Sequence, residues 1–214
     1  PLHYIRQALG PAANLSEGAL APMLAAKPDA IILADMGTLP PGDLNALESW
    51  IKSGGLLIRF AGPRMTQNLT QGDMFLTPVA LRKGNRALDG ALTWEKPARL
   101  APFDKSSPFF GLDIPADIVV NRQLLAEPDQ DLAGKVWGAL DDGTPLVTAS
   151  ALERGMIVLF HTTATPEWSN LALSGLFPGM LARAIRMAGA SVHDRQAAAT
   201  GALPPLSVLD GFGQ

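Results

Sequence analysis

An imidazole at the carboxyl end of a strand stands over the crevice where open α/β sheets gather ligand-binding groups, and it can serve as a general base near neutral pH. His161 has that position, closing the apolar run Met156-Ile157-Val158-Leu159-Phe160, with Glu167 shortly after. Asp35 ends a second apolar run, Ala30 to Ala34, and Arg64 follows the Ala61-Gly62-Pro63 that stops a third, Leu56 to Phe60. His161 paired with Asp35 or Glu167 would be a base with a helping carboxylate, able to activate a water for hydrolysis. The backbone donors of Gly62-Pro63-Arg64, with one guanidinium, would cradle an anion. The ligand-binding candidates are therefore Asp35, Arg64 and His161.

Each candidate also has a purely structural reading. His161 is equally a histidine hydrogen-bonded to a neighbouring loop, and Asp35 a cap for the helix that follows Gly37-Thr38. Arg59, inside an apolar strand, requires a partner if buried; an edge position or a salt bridge to Asp35 would satisfy it. Ser169 and Asn170 suit the cap of the last helix. Ser169 lacks the G-x-S-x-G elbow that a nucleophilic serine requires.

Several chemistries are excluded outright. The chain has no cysteine, which removes thiol catalysis, thiolate metal sites and disulfides together. Its histidines, His3, His161 and His193, lie too far apart in sequence for ligand spacing, so no metal is expected. Neither a phosphate-loop lysine nor a G-x-G-x-x-G is present, and no cofactor is expected. A net charge of −3 with scattered basic residues gives neither a nucleic-acid footprint nor a polybasic membrane patch. No stretch approaches the roughly 18 apolar residues of a membrane span.

The elements that position these residues follow from the apolar patterning. With 47% hydrophobic residues among 214, the chain has material for one α/β core. Tyr4 to Leu9 reads as the end of a helix stopped by Gly10-Pro11, Leu15 to Gly18 as a short strand, and Ala19 to Ala26 as a helix. Ala30–Ala34 and Leu56–Phe60 have the continuous apolar character of strands buried on both faces. Between them Pro41 to Ser53 carries Leu44, Leu47, Trp50 and Ile51 at helical spacing and stops at Gly54-Gly55. Strand, helix, strand is one βαβ crossover, so the two strands are parallel. From about Thr77 to Val147, short alternating runs such as Ala91 to Trp94 and Ile118 to Val120 are broken by prolines and Asp141-Asp142-Gly143. That pattern predicts an antiparallel β elaboration. Thr144–Ala149 and Gly155–His161 form a hairpin, and Asn170 to Ala188 is a closing helix in which Pro178 imposes a kink or a later start. Residues 1–190 thus make one domain, and Ser191 to Gln214 reads as a linker or docking tail.

The strand ending at His161 resembles the triad-histidine strand of class I glutamine amidotransferases, whose run ends Phe-His-Pro-Glu. The nucleophile of that family follows a strand as Cys-x-Gly; here Phe60-Ala61-Gly62 occupies the place. Phenylalanine offers no nucleophile, and the glutamate is displaced to Glu167. The resemblance therefore implies a three-layer, flavodoxin-like α/β sandwich with His161, Phe60 and Glu167 as vestigial catalytic positions. Further segments resemble bacterial membrane proteins with an N-terminal double-transmembrane region, related to the Bat-type aerotolerance proteins: Ala46 to Ile51, Gly54 to Pro63, Thr144 to Ala149, Ile157 to Phe177, Leu203-Pro204-Pro205-Leu206 and Leu209 to Gly213.

That second resemblance implies an inner-membrane-anchored parent whose spans precede Pro1, with this domain on the periplasmic side or, alternatively, the cytoplasmic one. The expected role is a non-catalytic binding or assembly module, its partners envelope proteins or other domains of the parent chain. The alternative is a hydrolase of altered chemistry using His161 with Asp35 or Glu167. Folds of this type open with a central strand, and none precedes Tyr4 in this chain. The carboxyl ends of the three runs, at Asp35, Phe60 and His161, are expected to meet along one sheet edge.

Overall fold

A computed structural model describes residues 2–10, 13–70, 76–82 and 97–199 of the chain. Its centre is a five-stranded sheet in the order β1 (Ala30–Ala34), β2 (Leu56–Phe60), β5 (Gly155–Phe160), β4 (Pro145–Leu152), β3 (Val136–Ala139). β1, β2 and β5 run parallel, and β4 is antiparallel to both its neighbours. The apolar runs at β1 and β2 have the expected bounds. α3 (Pro41–Lys52) makes the crossover between them, and Gly54, at φ 124°, ends it with a backbone that only glycine adopts readily.

Helices cover both faces of the sheet. On one side α1 (Leu2–Leu9) contributes Ile5 and Leu9, one helical turn apart, and α5 (Leu176–Ala199) contributes Leu176, Phe177, Met180 and Leu181. They pack on Leu56, Ile58, Phe60, Val158 and Phe160, alternate residues of β2 and β5. On the other side Leu47 and Ile51 of α3 pack on Ile31, Leu33, Leu57 and Ile157, with α2 (Leu20–Ala25) behind. Burying a leucine or phenylalanine side chain contributes about 1.5–3 kcal/mol, so these two interfaces carry much of the fold. The molecule is a mixed α/β fold with a mostly parallel sheet flanked by helices.

Four expectations are corrected. Leu15 to Gly18 forms no strand; Leu15 is 42% exposed, and Glu17 instead pairs with Arg6 of α1. The described part of the region from Thr77 to Val147 is held mainly by single antiparallel bridges, Leu81 to Ala126, Ala98 to Val120 and Leu100 to Leu140. Only β3 and β4 there extend into ladders, since Pro97, Pro102, Pro108 and Pro115 lack the N–H that a ladder uses. The run Ala91 to Trp94 lies outside the described residues. α5 begins at Leu176, which places Pro178 in its first turn, and the helix runs past Ser191 to Ala199. Ser191 to Ala199 is thus helix, not linker; residues 200–214 lie outside the described residues. Finally, Ser169 and Asn170 do not cap the last helix. The Asn170 side chain instead accepts from Val119 N (2.7 Å) and donates to Asp117 O (2.8 Å), and Ser169 Oγ accepts from Thr162 Oγ1.

Candidate functional site

Parallel pairing brings the three sequence candidates to one edge. Ala34, Phe60 and Phe160 share a register row, and the ladder continues one step with Asp35 N–H donating to Phe60 O (3.1 Å) and Ala61 N–H to Phe160 O (2.9 Å). Asp35, Phe60 and His161 therefore meet at the carboxyl edge of the sheet, as expected.

Their side chains do not converge, because strand side chains alternate between faces. Phe60 points to the α5 side, where its ring stacks on Phe160 (centroids 4.6 Å apart, planes 20° apart) and meets the edge of Phe177 at 5.8 Å. His161, one position beyond Phe160, points to the opposite face with Thr148, the register partner of Leu159. The position aligned with the amidotransferase nucleophile and the histidine are thus separated by the sheet.

His161 is completely buried and bonded at both ring nitrogens. Nδ1 lies 2.6 Å from Leu124 O, and Nε2 lies 2.9 Å from Thr148 Oγ1. A carbonyl only accepts, so Nδ1 carries the proton, and Nε2 is left to accept from the threonine hydroxyl. The His161 carbonyl also accepts from Leu124 N–H at 2.7 Å, so both backbone groups of Leu124 are held by one residue. Burial pushes the imidazole pKa down from 6.5 to about 4, against a raising contribution from the Leu124 carbonyl. A neutral ring with no unengaged nitrogen anchors the irregular segment at Gln123-Leu124 to the sheet. Glu167, the displaced glutamate, is exposed and does not take part in this arrangement.

Asp35 is a cap, though for another helix than expected. It has a positive φ of 48°, a conformation that Asp tolerates better than most residues. Its Oδ1 accepts from Arg64 N–H (2.9 Å) and Met65 N–H (3.2 Å), the second and third residues of α4 (Pro63–Thr70). A side chain from the neighbouring strand thus does the work of an N-cap. Gly62 makes room for it, because a Cβ there would overlap the Asp35 carboxyl group. The anion cradle read from Gly62-Pro63-Arg64 exists, and Asp35 supplies the anion. The Arg64 side chain is exposed.

Arg59 follows neither reading made from sequence. β2 lies between β1 and β5, so it is not an edge strand, and Asp35 gives its carboxylate to α4. Arg59 is 9% exposed, and its guanidinium donates to Leu76 O (3.4 Å) and Met36 O (3.5 Å). Burial lowers its pKa to about 10, which leaves it a cation at neutral pH. It lies in the wall of a cavity of about 280 Å³ beside the carboxyl ends of β1 and β2, between them, α3 and Met65 of α4. Leu33, Leu44, Leu47 and Leu57 supply the apolar wall. Sequence reasoning missed this cavity because its leucines read as ordinary core; the one signal was a charge in the middle of a buried strand.

Among the described residues no group of three His, Asp or Glu side chains comes together as metal ligands, and no helix is long and apolar enough to cross a membrane. No family model and no curated protein matches the sequence. Solved structures do resemble it. The cytoplasmic protein STM1381 from Salmonella typhimurium LT2 superposes with a TM-score of 0.66 at 12% identity, over 86% of each chain. The cytoplasmic protein STM3548 from Salmonella typhimurium does so with a TM-score of 0.62 at 14% identity, over 86% of this chain and 85% of that one. At such identities the likeness is one of fold alone.

Proposed function

We propose that this chain is a non-catalytic, amidotransferase-like module with a three-layer, flavodoxin-like sandwich, and that it acts by binding or assembly. Its setting, on this reading, is the periplasmic side of a membrane-anchored parent protein, among envelope proteins or other domains of that parent. The observation that carries the non-catalytic part is His161. The one residue with a triad counterpart is fully buried, with both ring nitrogens bonded within the chain. A general base must reach the proton it abstracts, directly or through one water; a ring closed in by Thr148 and Leu124 does not. Phe60 in the α5 core and Asp35 on α4 support the same reading.

The test is hydrolysis. Purified protein incubated with glutamine is expected to release ammonia at the rate of buffer alone, with a generic ester likewise unchanged. Release above buffer that is lost in His161→Asn, with folding verified by circular dichroism, would revive the hydrolase reading.

A further inference from the structure

Residues 97–118 shape an open groove of about 500 Å³ on the α5 side of the molecule, with a lining that is mainly apolar: Leu100, Phe103, Phe110, Leu112, Ile114 and Ile118. Single bridges, Ala98 to Val120 and Leu100 to Leu140, hold its backbone in place. Phe109 is buried, edge-on to Phe103 and Trp137, whereas the next residue, Phe110, is 50% exposed, and Gly111 then turns the chain at φ 80°. Single exposed apolar side chains are ordinary, but a contiguous apolar patch with a polar rim marks a surface that something covers. Among the described residues lining the groove, Arg99 is the one that carries a charge, and it is exposed.

The chain holds a segment that matches this groove in polarity, charge and reach. Residues 200–214, which follow α5, contain the apolar side chains Leu203, Leu206, Val208, Leu209 and Phe212 and a single charge, Asp210. α5 begins against the groove. Arg183 donates to the carbonyls of Pro108 and Phe110, and a Cβ on Gly179 would lie 3.2 Å from Leu112 Cδ2. From Arg183 to Ala199 the helix carries the chain about 24 Å away, at 1.5 Å per residue. Four extended residues span about 14 Å, so Leu203 falls short of the return; ten span about 33–36 Å and bring Leu209 within reach. Pro204 and Pro205 cannot continue a helix and favour the extended backbone that such a return needs.

We propose that Leu209 and Phe212 insert into the groove of their own chain, beside Phe103, Phe110 and Ile118, with the Asp210 carboxylate on the Arg99 guanidinium. The tail is then a built-in cover, and any other partner of the groove must displace it. This goes beyond the non-catalytic reading and does not depend on it.

Because the chain has no cysteine, Gly213→Cys lets a single nitroxide be attached to the full chain, next to Phe212. In nitrogen-15 spectra the amide signals of Phe103, Phe110 and Ile118 should fall below half the intensity they have with the label reduced. Those of α3, across the sheet, should not change. Leu209→Ser together with Phe212→Ser should return the groove signals to at least nine-tenths of full intensity, and Asp210→Lys should at least halve the loss. Arg99→Glu combined with Asp210→Lys should bring the loss back. An equimolar mixture of spin-labelled chain at natural abundance and nitrogen-15 chain without the label should show no broadening. The proposal is overturned if the groove signals keep their intensity, or if their loss survives the paired serine substitutions or Asp210→Lys undiminished. Broadening in the mixed sample would place the tail on a second copy and overturn it as well.

Discussion

Replacing His161 by alanine is expected to cost about 3–5 kcal/mol, a large part of the roughly 5–15 kcal/mol by which domains are stable. The substitution leaves the Leu124 carbonyl and the Thr148 hydroxyl without their partner inside the core. Each such orphaned group costs about 1–3 kcal/mol, and the space vacated by the ring adds a cavity term. Urea unfolding followed by circular dichroism measures it, as a lower midpoint at unchanged slope. His161→Asn should cost less, because its amide nitrogen can replace Nδ1 as donor to Leu124. The two variants also separate the histidine's part of the pH dependence. Its folded pKa of about 4 lies below the unfolded value of 6.5, so the unfolded chain binds the extra proton between those values. Stability from the neutral ring is therefore complete above pH 6.5 and falls as pH drops towards 4, by about 3 kcal/mol in all. Wild type should lose that much more than His161→Asn between pH 7 and pH 4. Equal losses in both proteins would mean that the ring titrates normally.

Gly155→Ala should be nearly as damaging, at about 3 kcal/mol, the upper end of overpacking costs. Gly155 opens β5 against the end of α3, and a Cβ there would overlap the backbone carbonyl oxygens of Ile51 and Gly55. Backbone cannot swing aside as a side chain does. The hairpin would have to move off α3, straining the Met156 N–H to Gly55 O bond (3.2 Å) that seats it. Gly134→Ala is the control: a Cβ at that glycine meets nothing within 4 Å, and its midpoint should stay within about 0.5 kcal/mol of wild type. A comparable loss in both variants would point to glycine flexibility in general, not to this contact.

The parallel core was legible because its signals are local. Ala30–Ala34 is an unbroken apolar run, Leu56–Phe60 is apolar but for Arg59, and Gly54-Gly55 marks where the intervening helix must stop. The edge formed by Asp35, Phe60 and His161 followed from parallel pairing alone. What those residues do was not legible, because it depends on facing and on distant partners. Strand alternation sends Phe60 and His161 to opposite faces, a geometry that aligning motifs ignores. Leu124, which fixes the histidine tautomer, lies 37 residues away in an irregular stretch, and Asp35 caps α4 from 29 residues away. The end of α5 was misread for another reason. Ser191 to Ala199 contains neither Gly nor Pro and closes on three alanines, the best helix formers, so propensity favoured the helix over a linker.

The central claim is that His161 is a structural residue and not a base awaiting a substrate. Nitrogen-15 NMR of the imidazole across pH 5 to 8 tests it most directly, with His161→Asn used to assign the signal. The account predicts one neutral tautomer, protonated at Nδ1, with shifts that stay flat throughout that range. A ring that titrates near 6.5, or that carries its proton on Nε2, would contradict it.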